Sequence, residues 1–192
     1  MRVTWGPFKD LSTDEMERLD ARSREQDAGR MLPSGVRVID LIEGTGPPAT
    51  QGSRVWAHYK VWKDGFRSGA TADLSFVDNR PYDWTLGSPT DRIPPGVDEG
   101  TRGMREGGWR RLVVPAAYGE QGLRKINYGP AGRYTGAKAP YVVPPGATAF
   151  VDLIMVDAGS GRCERLLRPV GLSEKEAHKR TSLTCSFLYE VY

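Results

Sequence analysis

Cysteine and histidine are nearly absent: the 192 residues hold two of each, Cys163, Cys185, His58 and His178. That scarcity excludes most metal centres, because these residues lack zinc-type spacing, and no Ser or Cys nucleophile stands near a histidine in a recognisable elbow. No metal and no cofactor are therefore expected. Phosphate-cradling loops are missing too, since Gly44-Thr45-Gly46 runs into two prolines without amides to donate and no P-loop pattern occurs. No stretch approaches the roughly 18 consecutive apolar residues of a membrane span. The most apolar one, YVVPPGATAFV, contains two prolines, so no span is expected and peripheral association alone stays open. The N-terminus has no apolar core of a signal peptide, which says nothing of a presequence already removed. Charge of one sign is lacking as well: 27 basic residues are interleaved with 24 acidic ones, and no nucleic-acid partner is expected. The two cysteines permit a disulfide stapling the tail, but two free thiols are the simpler expectation.

What is abundant is glycine and proline, 23 and 14 residues, which predicts short elements joined by long turns. The segment LSTDEMERLDARSREQDAG predicts a surface helix with Ser12 as N-cap, Glu15 as its capping-box partner and Gly29 as the stop. Its apolar side is thin, with Leu11, Met16 and Leu19 alone. From Leu32 the period changes to two, and five strands are predicted in VRVIDLIEG, RVWAHYKVW, RPYDWTLG, RRLVVP and ATAFVDLIMVD. Pro94 and Pro95 open a short helix that glycines soon close. The fold class is α+β, one mostly antiparallel sheet with a short helix on one face. The expected organisation is an N-terminal helical extension over 1–31, a domain over 32–157 and a C-terminal extension over 158–192. That last part holds a helical turn capped by Ser173 with Glu176, then a strand with Leu183, Cys185, Phe187, Tyr189 and Val191 on one side. Asp98, Glu99 and Glu106 read as a solvated acidic face and not as a catalytic carboxylate pair.

Taken in order, GTGPPATQGSRVWAHY, the Asp64-Gly65 turn, RPYDWTLG, GVDEGTRGMREGGWRRLVVP, AYG and VPPGAT resemble the FKBP family of peptidyl-prolyl isomerases across about residues 34–157. The resemblance implies an antiparallel half-barrel wrapped around a short helix, with an apolar bowl between them that takes up a proline side chain. The partners it implies are proline-containing peptides or proteins. An unaided X-Pro bond isomerises over tens to hundreds of seconds. A dry pocket speeds the rotation by taking water from the polar planar amide while a hydroxyl and a backbone N–H hold the peptide. Carried over by position, Tyr118 of AYG is the hydroxyl donor and Tyr59 of AHY a lining tyrosine; these are the two catalytic candidates. Tyr82 forms an aromatic wall, Ile93 supplies the backbone donor, Val142 and Val143 belong to the last loop, and Asp73 falls on the acidic position. For Tyr59 and Tyr82, plain core packing is an equal reading.

The pattern is also broken. Val97 stands where the family has the tryptophan floor, Val151 where it has a phenylalanine, and Ala72 at a third aromatic position; Pro94 follows Ile93. Each large-to-small change removes about 1.5–3 kcal/mol of apolar contact, and three together amount to about a thousandfold or more in affinity. Trp84 or Tyr141 are the residues that could refill the bowl. The inserted loop LRKINYGPAGRYTGAKAP carries Arg124, Lys125, Arg133 and Lys138 with Tyr128 and Tyr134 between them, either solvated or a binding loop for an acidic partner. Two functions follow: an isomerase of weak or lost activity that assists folding or assembly, and a non-catalytic scaffold subunit of a larger complex. Similarity to divergent plastid members implies a chloroplast location, with the thylakoid lumen as the finer expectation.

Period two also assigns faces. If Val55, Ala57, Tyr59 and Val61 face the helix, then Trp56, His58, Lys60 and Trp62 lie on the back, joined by Phe150, Asp152, Ile154, Val156 and Val113. An apolar patch of that kind predicts a cover. A partner subunit held by Trp56, Trp62, Phe150 and Ile154 is favoured over the chain's own arms.

Overall fold

Alternating β-branched and aromatic residues dictate the centre of the molecule. In this computed structural model, which describes residues 29–75, 81–124 and 140–167 (side chains of 165–167 excepted) and helical positions 14, 17, 18 and 21, RVWAHYKVW is strand β3 (Arg54–Trp62). It pairs antiparallel with β9 (Ala149–Asp157), Tyr59 opposite Leu153 and Val61 opposite Val151. Beyond β9 come β6 (Trp109–Val114), β2 (Arg37–Ile42) and the short β1 (Arg30–Met31). On the other edge of β3 lie β4 (Asp73–Leu74) and β5 (Tyr82–Thr85). These seven strands make one open antiparallel sheet, not a closed barrel. The five predicted strands are all present. The additional β1 and β4, and a separate ribbon of β7 (Leu123–Arg124) with β8 (Tyr141–Val143), are too short to show a period. The sheet begins at Arg30, just ahead of the expected boundary at 32.

Helix α1 (Pro95–Thr101) starts on a proline whose fixed φ suits its first turn. It rests on β6 through glycines: a Cβ on Gly96 would come 2.5 Å from Val114 Cγ1, and one on Gly100 would come 2.7 Å from Leu112 Cδ1. Asp98 corrects the expectation of a solvated acidic face. It is buried, and its carboxylate accepts from Trp84 Nε1 at 3.0 Å and Gly87 N at 2.9 Å, tying β5 to the helix. Glu106 lies 3.5 Å from Arg162.

The front of the sheet packs on α1 as predicted, with Val55, Ala57, Tyr59, Val61, Leu112, Val151, Leu153 and Met155 in one cluster with Val97 and Ile93. The back face corrects the expectation of an exposed surface for a partner subunit. Trp56, His58 and Ile154 are 0% exposed and Trp62 5%, with Phe150 half-buried, all within this single chain. Part of the cover is visible. Cys163, in α2 (Arg162–Leu167), joins Trp56 and Val156. Ile39, Leu41 and Trp109 pack with Ile154. Phe66 sets its ring edge-on to Phe150 at 5.3 Å while Arg111 lies over it at 4.7 Å. Asp157 positions α2, accepting from Cys163 N and Gly159 N at 2.8 Å each. Cys163 is disulfide-bonded, which corrects the expectation of free thiols; Cys185 lies outside the described residues. So do Leu11, Ser12, Glu15, Met16 and Leu19 of the predicted N-terminal helix, Ser173, Glu176 and the tail strand, and the inserted loop from Lys125 to Lys138. Asp14, Glu17, Arg18 and Ala21 are helical as expected.

A closed back face makes its tryptophans core residues. Removing a buried Trp side chain costs about 3–5 kcal/mol against a total stability of about 5–15 kcal/mol. Trp56→Ser with Trp62→Ser is therefore expected to abolish cooperative thermal unfolding, and a native-like melt in the double variant would show that this face is not core. The buried His58, whose Nδ1 lies 3.3 Å from Ser75 Oγ, sets a pH dependence. Burial lowers it from 6.5 to about 4, so the folded state binds this proton less tightly than the unfolded chain. Its contribution is complete above pH 6.5 and is lost as pH falls toward 4, by about 3 kcal/mol at most. Urea midpoints across that window should fall more steeply for the wild type than for His58→Gln; parallel curves would overturn the assignment.

Candidate functional site

The concave front of the sheet brings together most of the residues singled out by position. Tyr59, Ile93, Val97, Tyr118, Val143 and Val151 belong to one buried cluster, with Tyr82 packed against it. Val142 is not part of that cluster. Tyr59 sits on β3, Tyr82 on β5, Val97 in α1, Val151 on β9 and Val143 on β8. Tyr118 follows β6, immediately before a 3-10 turn (Gly119–Gln121). Tyr59 and Tyr82 meet edge to face at 5.9 Å, and Trp84 lies beside Tyr82 at 6.3 Å. Trp84 is buried in the cluster with its indole N–H bound to Asp98. Tyr141 does not enter it: this ring is 40% exposed and carries Arg124 over its face at 3.9 Å.

One polar network crosses the site. Tyr59 Oη donates to Asp73 Oδ2 at 2.7 Å. Arg92 donates to the same carboxylate twice, from Nε at 3.1 Å and Nη2 at 3.0 Å, and to the Leu74 carbonyl at 3.1 Å. Its guanidinium lies 5.4 Å from the Tyr59 ring centre and 5.0 Å from that of Tyr82. A planar fork matched to a carboxylate and stacked on aromatic faces is what arginine, and not lysine, supplies. Burial depresses the guanidinium, but the Asp73 hydrogen bond and the electrostatic pull of Tyr59, Asp73 and Tyr82 outweigh it and raise its pKa. Burial, then the Asp73 charge and hydrogen bond, push the Tyr59 phenol far above its ordinary value. Tyr118 is raised by burial first and the Asp73 charge second, with Arg92 opposing. Both phenols are therefore neutral donors near neutral pH.

The donors differ in what they still have to give. The Tyr59 hydroxyl is committed to Asp73, and that of Tyr82 shares the Thr90 hydroxyl at 3.1 Å. The Ile93 N–H donates to the same Thr90 Oγ1 at 3.1 Å, so the expected backbone donor is engaged inside its own turn. Tyr118 Oη is buried without a hydrogen-bond partner among the described residues. An orphan buried hydroxyl costs about 1–3 kcal/mol and is rare without a purpose. Arg92 and Thr90 were missed in the sequence. Nothing there shows that Arg92 reaches back to Asp73, although an arginine beside the expected donor was a visible clue. Among the described residues no group of three or more His, Cys, Asp or Glu could hold a metal, and no helix is long and apolar enough to cross a membrane.

Comparison with known proteins adds the following. Residues 46–153 match the family described as FKBP-type peptidyl-prolyl cis-trans isomerase. The chain is 33% identical over 154 residues to an Arabidopsis thaliana protein named "Peptidyl-prolyl cis-trans isomerase FKBP16-4, chloroplastic", covering 74% of this chain and 60% of that protein's length. It is 34% identical over 119 residues to an FK506-binding protein of Neisseria meningitidis serogroup B, covering 62% of this chain and 92% of the other. Among solved structures it is similar to that of AtFKBP13, with 28% identity, a TM-score of 0.48, and coverage of 65% of this chain and 94% of that one.

Proposed function

The chain belongs to the family of FKBP-type peptidyl-prolyl cis-trans isomerases, and from that premise we propose that it isomerises X-Pro bonds slowly, in the service of protein folding or assembly. The observation that carries this reading is the unpartnered hydroxyl of Tyr118 among apolar walls. A prolyl carbonyl accepting from it would satisfy the orphan donor. The neighbouring valines Val97, Val143 and Val151, with Tyr59, Tyr82 and Ile93, would take the ring and exclude water. No covalent step is required: twisting the amide lowers its dipole, which a dry pocket favours over the planar ground state.

Weak turnover is part of the proposal. Valines line the floor where a larger ring would grip the proline, and the Ile93 amide must leave Thr90 before it can serve a substrate. The alternative, a scaffold subunit without activity, would draw support from the same two features. It would need another surface, because the back face is closed within the chain. We further propose a plastid location, with the thylakoid lumen as the compartment. The similarity to a protein named chloroplastic supports it, and so does the disulfide at Cys163, since such bonds persist where the environment is oxidising.

The experiment on Tyr118 separates a working hydroxyl from a structural one. Tyr118→Phe removes an unsatisfied polar atom, so it should raise thermal stability by about 1 kcal/mol while lowering kcat/KM about fivefold in a protease-free NMR exchange assay. Wild-type turnover absent at high enzyme concentration would leave the scaffold reading standing. For location, a fluorescent fusion of the full precursor is expected inside plastids in a lumenal pattern; cytosolic fluorescence would refute it.

A further inference from the structure

Next to the bowl, between the start of α1 and the turn after β6, lies an open groove of about 460 Å³, within the ~300–1,000 Å³ of ordinary ligand sites. Val36, Pro94, Pro95, Val114 and Pro115 give it an apolar floor, and it shares Thr90 and Tyr118 with the bowl. Asp91 and Glu99 also line it, while no lysine, arginine or histidine does. Neither carboxylate has an ion-pair partner among the described residues, although Arg92 stands beside Asp91 in sequence. That arginine is turned into the bowl and held by Asp73, and Arg102 pairs with Asp98. The groove is thus an acidic concavity on a chain of net charge +3.

We propose that this groove is a second subsite for the peptide whose proline occupies the bowl, and that it selects a lysine or arginine within a few residues of that proline. The inference rests on the isomerase reading for what fills the bowl. Continuity supports it: Tyr118, whose buried hydroxyl has no partner among the described residues, lines the groove and belongs to the buried cluster assigned to the proline. A chain held at that hydroxyl leads into the groove. Its apolar floor accepts the stems of long basic side chains, which lie along apolar surface while their charge stays hydrated at the rim. Charge complementarity chooses the occupant. One exposed carboxylate, Asp91, and one half-buried, Glu99, give a modest, screened attraction, about threefold to tenfold for one basic residue at low ionic strength.

The test uses the full chain and a proline peptide in which three positions on each side are scanned in turn with Lys, Ala and Glu. Exchange rates and dissociation constants are both read by NMR, the latter from isotope-labelled protein, at about 20 mM and about 1 M salt. At one or more positions the Lys peptide should bind and turn over about tenfold better than the Glu peptide. That ratio should shrink toward one in high salt and in Asp91→Asn with Glu99→Gln, and amide shifts should appear at Gly96, Glu99 and Gly119. Equal affinities for Lys, Ala and Glu at every position would overturn the subsite. A Lys preference that persists unchanged in the double variant would overturn it too. Failure of every peptide to be turned over would sink the isomerase reading alone, because the binding arm still decides the groove.

Discussion

The distance between α1 and the sheet is set by two missing side chains. Gly96 and Gly100 face Val114 and Leu112 so closely that a Cβ at either would overlap β6. Several parts of the site are placed from that contact. It lowers Val97 into the cluster with Val151 and Tyr59. It puts Asp98 within reach of Trp84 and Gly87, and through Trp84 it holds Tyr82. It also fixes where the preceding segment ends, so that Ile93 and Arg92 arrive beside the two tyrosine rings. Substituting either glycine would push the helix outward and change the depth of the bowl before it changed any residue that touches a ligand.

On the opposite face a different constraint applies. Arg111 and Asp152, cross-strand partners on β6 and β9, are joined at 2.7 Å with 2% exposure each. Burial pushes the Asp152 carboxyl up, against the pull of Arg111. Such a pair gives little net stability compared with apolar residues of the same volume, whereas breaking it strands a charge at a cost of about 3–5 kcal/mol. A slip of one residue would set Arg111 against Val151 or Leu153 and expose apolar groups to a buried charge. The pair therefore penalises the wrong register more than it strengthens the right one, and Phe66 and Trp109 around Arg111 deepen that penalty by excluding water.

The strands, the helix and their inward faces were legible because period two and the proline-glycine punctuation are local signals. Tyr59 and Val151 fall together for that reason, whereas Ile93, Val97 and Val143 were placed by the resemblance to the FKBP family. The cover of the back face was not legible, because it comes from Cys163 and Phe66, which no periodicity links to Trp56 or Phe150. The ionic network was hidden for the same cause: Arg92 and Asp73 lie on different segments, and sequence shows neither the fork geometry nor the rings beneath it. Asp98 was misplaced because an acidic residue on a short helix is usually solvated; here two donors brought by β5 overrule that expectation.

The state of the donors bears on how far catalysis can go under the proposed reading. Three phenols and one amide surround the bowl, and three of these four groups already have partners. The Ile93 amide would exchange one hydrogen bond for another on binding a peptide, which is nearly neutral and worth about 1 kcal/mol at most. The Tyr118 hydroxyl would gain a bond it lacks, a favourable difference of similar size. These two effects together shift affinity by about tenfold. Under the same reading the aromatic contact missing at Val97, Val151 and Ala72 together is the larger quantity, about a thousandfold or more if Trp84 does not replace it. Packing therefore outweighs hydrogen bonding in limiting the site. Under that reading, proline affinity depends more on the side chains around Val97 and Val151 than on Thr90, whose change would alter only the smaller hydrogen-bonding contribution.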